Sequence, residues 1–65
     1  MNINDINKNK QQVINKTDNH SLSHPFAKIW VLLCLRCKNE YGCNGSDAHL
    51  RKCPNCQGGN LGEPV

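Results

Sequence analysis

The sequence predicts a small metal-stapled β fold: a short antiparallel sheet carrying two Cys-x2-Cys knuckles, behind a disordered N-terminal tail. Three observations predict it. At 65 residues the chain has room for one small domain. Fourteen residues are Phe, Ile, Leu or Val, close to the level at which chains stop folding unaided, so a staple is needed. Five residues are cysteines, and four of them fall into two Cys-x2-Cys pairs, the arrangement of a metal site.

Residues 1–25 read as a flexible, Asn-rich tail. Six of the ten asparagines lie before residue 25, with no aromatic residue among them. Ile3, Ile6, Val13 and Ile14 loosely fit a helical face, but Asn is a poor helix former and the intervening positions are polar. The alternative for this segment is a helix that forms on a partner or packs back on the sheet. His20 and His24 stand four apart among serines and a proline, and read as solvated side chains rather than a metal pair.

Residues 26–62 carry the regular signals. Ile29-Trp30-Val31-Leu32-Leu33 is apolar, β-branched and aromatic, and reads as a strand. Asn39-Glu40-Tyr41 returns antiparallel beside it. Asn44-Gly45 signals a hairpin turn, and residues 48–52 read as a short third strand. Ile29, Trp30, Val31, Leu33, Tyr41, Leu50 and Leu61 form the expected core. Gln57-Gly58-Gly59-Asn60 closes the domain with a turn, and residues 63–65 are a loose C-terminus.

The chemistry lies in Cys34-Leu35-Arg36-Cys37, fifteen further residues, then Cys53-Pro54-Asn55-Cys56. Two residues between cysteines let a tight turn aim both sulfurs at one point. Two such turns facing each other complete a tetrahedron of thiolates around one Zn²⁺. Pro54 restricts the second turn and lowers its ordering cost. Cys34, Cys37, Cys53 and Cys56 are therefore the expected ligands, and without metal no stable fold is expected. Cys43 reads as a small residue in a turn; displacement of a ligand and redox sensing are the alternatives weighed against it. His49 is either exposed or a donor to the site's surroundings.

From Trp30 to Gly59 the chain resembles a zinc ribbon, in which two such knuckles hold one Zn²⁺ on a small antiparallel sheet. Tyr41, Asn44-Gly45-Ser46-Asp47 and Arg51-Lys52-Cys53-Pro54-Asn55-Cys56-Gln57-Gly58-Gly59 are similar to small stand-alone bacterial zinc-ribbon proteins of mostly unassigned function. One departure stands out: ribbon knuckles often carry Gly after the second Cys, where this chain has Lys38 and Gln57.

Eight Lys and Arg against five Asp and Glu give a formal charge of +3. Four zinc-bound thiolates bring this to about +1, so the basic bias is mild. Arg36, Lys38, Arg51 and Lys52 nonetheless flank the knuckles and form a candidate edge for DNA or RNA phosphates, with Trp30 or Tyr41 for stacking. The alternative is a protein-interaction adaptor, docking through the tail or through an unpaired edge at the Trp30 strand. Rubredoxin-like electron transfer by iron in the same thiolates is a third class. A closed site of four cysteines leaves a metal no open position, so an enzyme is not expected. The most apolar run, residues 29–35, is far shorter than the roughly 20 residues of a spanning helix. With no secretory signal pattern, the cytoplasm, where thiols stay reduced, is the expected location.

Overall fold

In the computed structural model, which describes residues 1–21 and 26–63, three strands form one antiparallel sheet. They are β1 (Gln11–His20), β2 (Lys28–Cys34) and β3 (Glu40–Asn44), in spatial order β1-β2-β3. A 3-10 helix, Gly45–Leu50, follows β3. β2 and β3 form where the apolar run and the Glu40-Tyr41 return predict them.

The main departure is at the N-terminus. Instead of a disordered tail over residues 1–25, Gln11–His20 is the longest strand and pairs with β2 from Gln11↔Cys34 to His20↔Lys28. The residues before it fold back on it. Asn4 N donates to Val13 O at 2.6 Å, Val13 N donates to Asp5 O at 2.9 Å, and Ile6 bridges Gln12. β1 has few apolar residues of its own; its backbone is held by β2 on one side and, over Gln11–Val13, by this returning segment on the other. The expectations for residues 22–25, His24 among them, and for residues 64–65 lie outside the described residues. At the other end Glu63 is tied in: its N–H donates to Gly42 O at 2.8 Å, and its carboxylate accepts from the Ser21 hydroxyl.

The register stacks Val13, Leu32 and Tyr41 across the three strands, and Lys16, Trp30 and Cys43 beside them. An irregularity between Val13 and Asn15 inserts Ile14 as an extra residue, as in a β-bulge. The core is Val13, Leu32, Tyr41, Cys43 and Ala48, with Met1 and Trp30 packed at its margins. Ile29 and Tyr41 are buried as expected, but Val31 and Leu33 are half-buried, while Leu50 and Leu61 are 54% and 87% exposed. A continuous apolar run does not reveal which alternate residues face inward; pairing with β1 and β3 sets that phase.

Residues 48–52 are not a strand. Asn44 caps a 3-10 helix instead, its side-chain oxygen accepting from Ser46 N at 2.9 Å, and Ala48 closes over the core. Asn before Gly signals a hairpin turn, yet the same side chain is an equally good helix cap. Cys43 is likewise not in a turn: it lies in β3 with no exposure. Burial pushes its thiol up to about 12, the opposite of a reactive thiol. His49 is exposed. Because β2 is the central strand, paired on both sides, the unpaired edge expected at the Trp30 strand is not there. Among the described residues, no helix is long and apolar enough to cross a membrane.

Candidate metal centre

The sheet ends at Cys34, the last residue of β2, and the chain turns there. Lys38 N donates to Cys34 O at 2.8 Å, closing a five-residue turn that leads into β3. The second cysteine pair turns the same way, with Gln57 N donating to Cys53 O at 3.1 Å. Lys38 takes the left-handed conformation that a Gly would occupy without strain, at φ 66°. In the second turn that conformation falls on Gly58, at φ 64°. The absence of Gly after each second cysteine is thus met differently in the two turns.

The two turns face each other. The sulfurs of Cys34, Cys37, Cys53 and Cys56 all lie within 4.8 Å of one another. Cys34 Sγ stands 3.6 Å from Cys56 Sγ, and Cys37 Sγ 3.5 Å from Cys53 Sγ. In a tetrahedral thiolate site with bonds of about 2.3 Å, the sulfurs stand about 3.8 Å apart. All five thiols are free, and Cys43 is outside the cluster. Cys34 and Cys53 are buried, whereas Cys37 and Cys56 are exposed, so the cluster straddles the end of the sheet.

The local polar groups suit thiolates. The N–H groups of Asn55 and Cys56 donate to Cys53 Sγ at 3.3 and 3.5 Å. Burial opposes ionisation of Cys34, but hydrogen bonds from the Cys37 and Arg36 backbone and from the Gln11 side chain bring it down to about 6. The Asn39 N–H lowers Cys37 as well. Desolvation and its sulfur neighbours push Cys56 the other way, to about 12. Four sulfurs this close cannot all ionise unless a cation shares their charge. The arrangement is a four-thiol donor set that fits a metal ion.

A third segment, which sequence reasoning missed, locks the two turns together. Asn7, 8% exposed, uses its full amide capacity. Its Nδ2 donates to Ala48 O and Arg51 O at 2.9 and 3.0 Å, and its Oδ1 accepts from Asn9 N and Gln11 N. Asn9 Nδ2 donates to Arg51 O at 3.1 Å, and Lys10 O accepts from Leu35 N at 2.9 Å. Gln11, with no exposure, accepts from Tyr41 Oη at 2.7 Å and donates to Gln57 Oε1 at 3.1 Å. Gln57 Oε1 also accepts from Cys53 N at 2.7 Å, and its Nε2 donates to Asn9 O. The run Asn7-Lys8-Asn9-Lys10-Gln11 therefore reaches the first turn at Leu35 and the second at Cys53 and Gln57.

Of the four cations expected at a contact edge, Arg36, Lys38 and Lys52 are exposed beside the cluster. Arg51 is engaged within the chain: its Nη2 donates to Leu61 O at 3.2 Å, and its guanidinium lies 5.8 Å from the Tyr41 ring centre. The stacking residues differ from expectation too. Tyr41 is in the core, and Trp30 is covered on one side by Lys16 Nζ, 4.1 Å from the ring centre. The Gly45 backbone packs against the same indole so closely that a Cβ there would stand 2.6 Å from Trp30 Cε2.

No protein-family model, curated protein or solved structure matches the chain. The four clustered cysteines on a small antiparallel sheet fit a zinc ribbon-like fold.

Proposed function

We propose that the chain is a structural-zinc binding module, one Zn²⁺ per chain, that contacts nucleic acid through the basic end of the sheet. The tetrathiol geometry carries the metal half of this reading: sulfurs 3.5–3.6 Å apart across the two turns, with backbone N–H groups directed at them, suit a soft tetrahedral ion. Cys34, Cys37, Cys53 and Cys56 hold the ion, whose chemistry there is cross-linking. Four protein ligands leave it no position for substrate, so the module is not an enzyme.

The contact half rests on Arg36, Lys38 and Lys52, which are exposed around the cluster. Cations at the rim of a rigid site keep fixed spacing, which suits phosphates. Arg51 acts from within, bracing Tyr41 and the C-terminal segment. Thiols of this kind stay reduced in the cytoplasm, the compartment this reading favours.

The metal is tested by purifying the chain without added metal and measuring content and colour. One zinc per chain and a colourless protein are expected; a red ferric tetrathiolate would replace this reading with electron transfer. Nucleic-acid contact is tested by titrating the zinc-loaded chain with DNA and RNA at several salt concentrations. Affinity that falls steeply with salt is expected; binding to neither at low salt would send the search to protein partners.

A further inference from the structure

We propose that Lys8 and Lys10 belong to the same contact surface as Arg36, Lys38 and Lys52, and that this surface tracks the phosphate backbone of duplex nucleic acid. The inference rests on the reading of the chain as a nucleic-acid binding module.

The N-terminal lock carries the argument. Burial alternates along Asn7-Lys8-Asn9-Lys10-Gln11: Asn7 and Gln11 are buried, Asn9 half-buried, and Lys8 and Lys10 exposed. The amides are held inward by bonds to Ala48 O and Arg51 O at the end of the 3-10 helix and to Gln57 in the second cysteine turn, which leaves the intervening lysines on the outside of the lock. Lys10 O is bonded to Leu35, the neighbour of Arg36, and Asn9 is bonded to Arg51, the neighbour of Lys52. Three separate stretches of chain thus bring cations to the metal-bearing end of the sheet. Some of the acids are occupied elsewhere: Asp18 pairs with Lys28, and Glu63 accepts from Ser21.

Aromatic placement selects the duplex. Binders of single strands combine a basic groove with aromatic rings on which bases stack. This chain has three aromatic residues. Trp30 is covered by Lys16 and Gly45, and Tyr41 lies in the core. Phe26 is fully exposed but precedes Lys28, at the opposite end of β2 from Cys34. The basic end therefore offers phosphate contacts without stacking, which suits a paired backbone.

The test uses the full zinc-loaded chain, a short random-sequence DNA duplex and the matching single strand, with binding followed by anisotropy across a salt series. Each phosphate contact contributes about 0.9 to the slope of log affinity against log salt. The Lys8→Gln/Lys10→Gln variant is expected to lower the duplex slope by about 1.8, with zinc content unchanged, and Lys8→Arg/Lys10→Arg to restore it. A duplex slope that falls with Arg36→Gln/Lys38→Gln but not with the lysine pair would overturn the role of Lys8 and Lys10 and leave the wider reading standing. Tighter binding of the single strand would overturn the duplex assignment. Salt-independent binding, or none, would overturn both the inference and the reading beneath it.

Discussion

Gln11→Leu nearly preserves the volume of a fully buried side chain and removes every hydrogen bond it makes. The consequences differ by partner. Gln57 Oε1 keeps its bond from Cys53 N, and Asn9 O keeps its bond from Gln57 Nε2. The Tyr41 hydroxyl, in a residue only 8% exposed, loses its acceptor. A buried hydroxyl left unpaired costs about 1–3 kcal/mol, and the lost bonds to shared acceptors cost about 0.5–1.5 each. The variant should therefore lose about 2–6 kcal/mol of folding stability. Tyr41→Phe leaves the Gln11 oxygen without its donor and should cost about 1–2 kcal/mol. In the double variant both partners are gone, so the combined loss should fall short of the sum by about 1–2 kcal/mol. Because Gln11 holds Gln57, whose Oε1 accepts from Cys53 N, zinc affinity should drop roughly 10–100-fold. Thermal unfolding of the zinc-loaded variants gives the cycle, and competition with a chromophoric chelator gives the affinity. Losses that simply add, or zinc affinity unchanged in Gln11→Leu, would refute the network as a link between β1 and the metal site.

Three further outcomes are expected. Chelation of the metal should collapse amide NMR dispersion throughout β1 as well as in the cysteine turns, since Asn9, Gln11 and Gln57 tie them together; β1 amides that stay dispersed would separate the strand from the site. Lys38→Gly should raise the unfolding temperature of the zinc-loaded chain, because it relieves the left-handed conformation at φ 66°; after the added chain entropy the gain is up to about 1 kcal/mol, and no gain would place the strain elsewhere. Cys43→Ala should leave one metal per chain, cost about 1–2 kcal/mol at neutral pH through the lost sulfur, and flatten the alkaline loss of stability. With its folded value raised from 9.0 to about 12, the Cys43 thiol contributes fully below pH 9 and its contribution is lost as pH rises towards 12. Parallel alkaline curves for the two proteins would contradict that burial.

The metal ligands were legible because Cys-x2-Cys pairs are a local pattern whose geometry follows from a tight turn. β2 was legible from its apolar run and β3 from its antiparallel return. What the sequence hid was the part held by polar side chains. Asn7, Asn9 and Gln11 alternate with Lys8 and Lys10 in the period of a strand, but a hydropathy pattern assigns all five to solvent. The amides face inward only because Arg51, at the end of the 3-10 helix, and Gln57, in the second cysteine turn, supply their partners 44 and 46 positions further on. Asn44 was ambiguous in a different way, since one side chain serves both hairpin turns and helix caps. The buried face of β2 was undecidable within a run where both alternations are apolar; Val13 and Tyr41 fix it from neighbouring strands.

The lock between Gln11 and Gln57 spans 46 positions of the chain, and this has a consequence for synthesis. At about 5–20 residues per second, Gln57 emerges from the ribosome roughly 2–9 s after Gln11. During that interval Val13, Ile14 and the apolar run of β2 are outside the tunnel without the second cysteine pair that completes their end of the sheet. The nascent chain must pass this window with an open strand edge and two ligands instead of four, a state exposed to mispairing and to chaperones. The supply of metal when the second cysteine pair emerges therefore bears on yield alongside the stability of the finished fold.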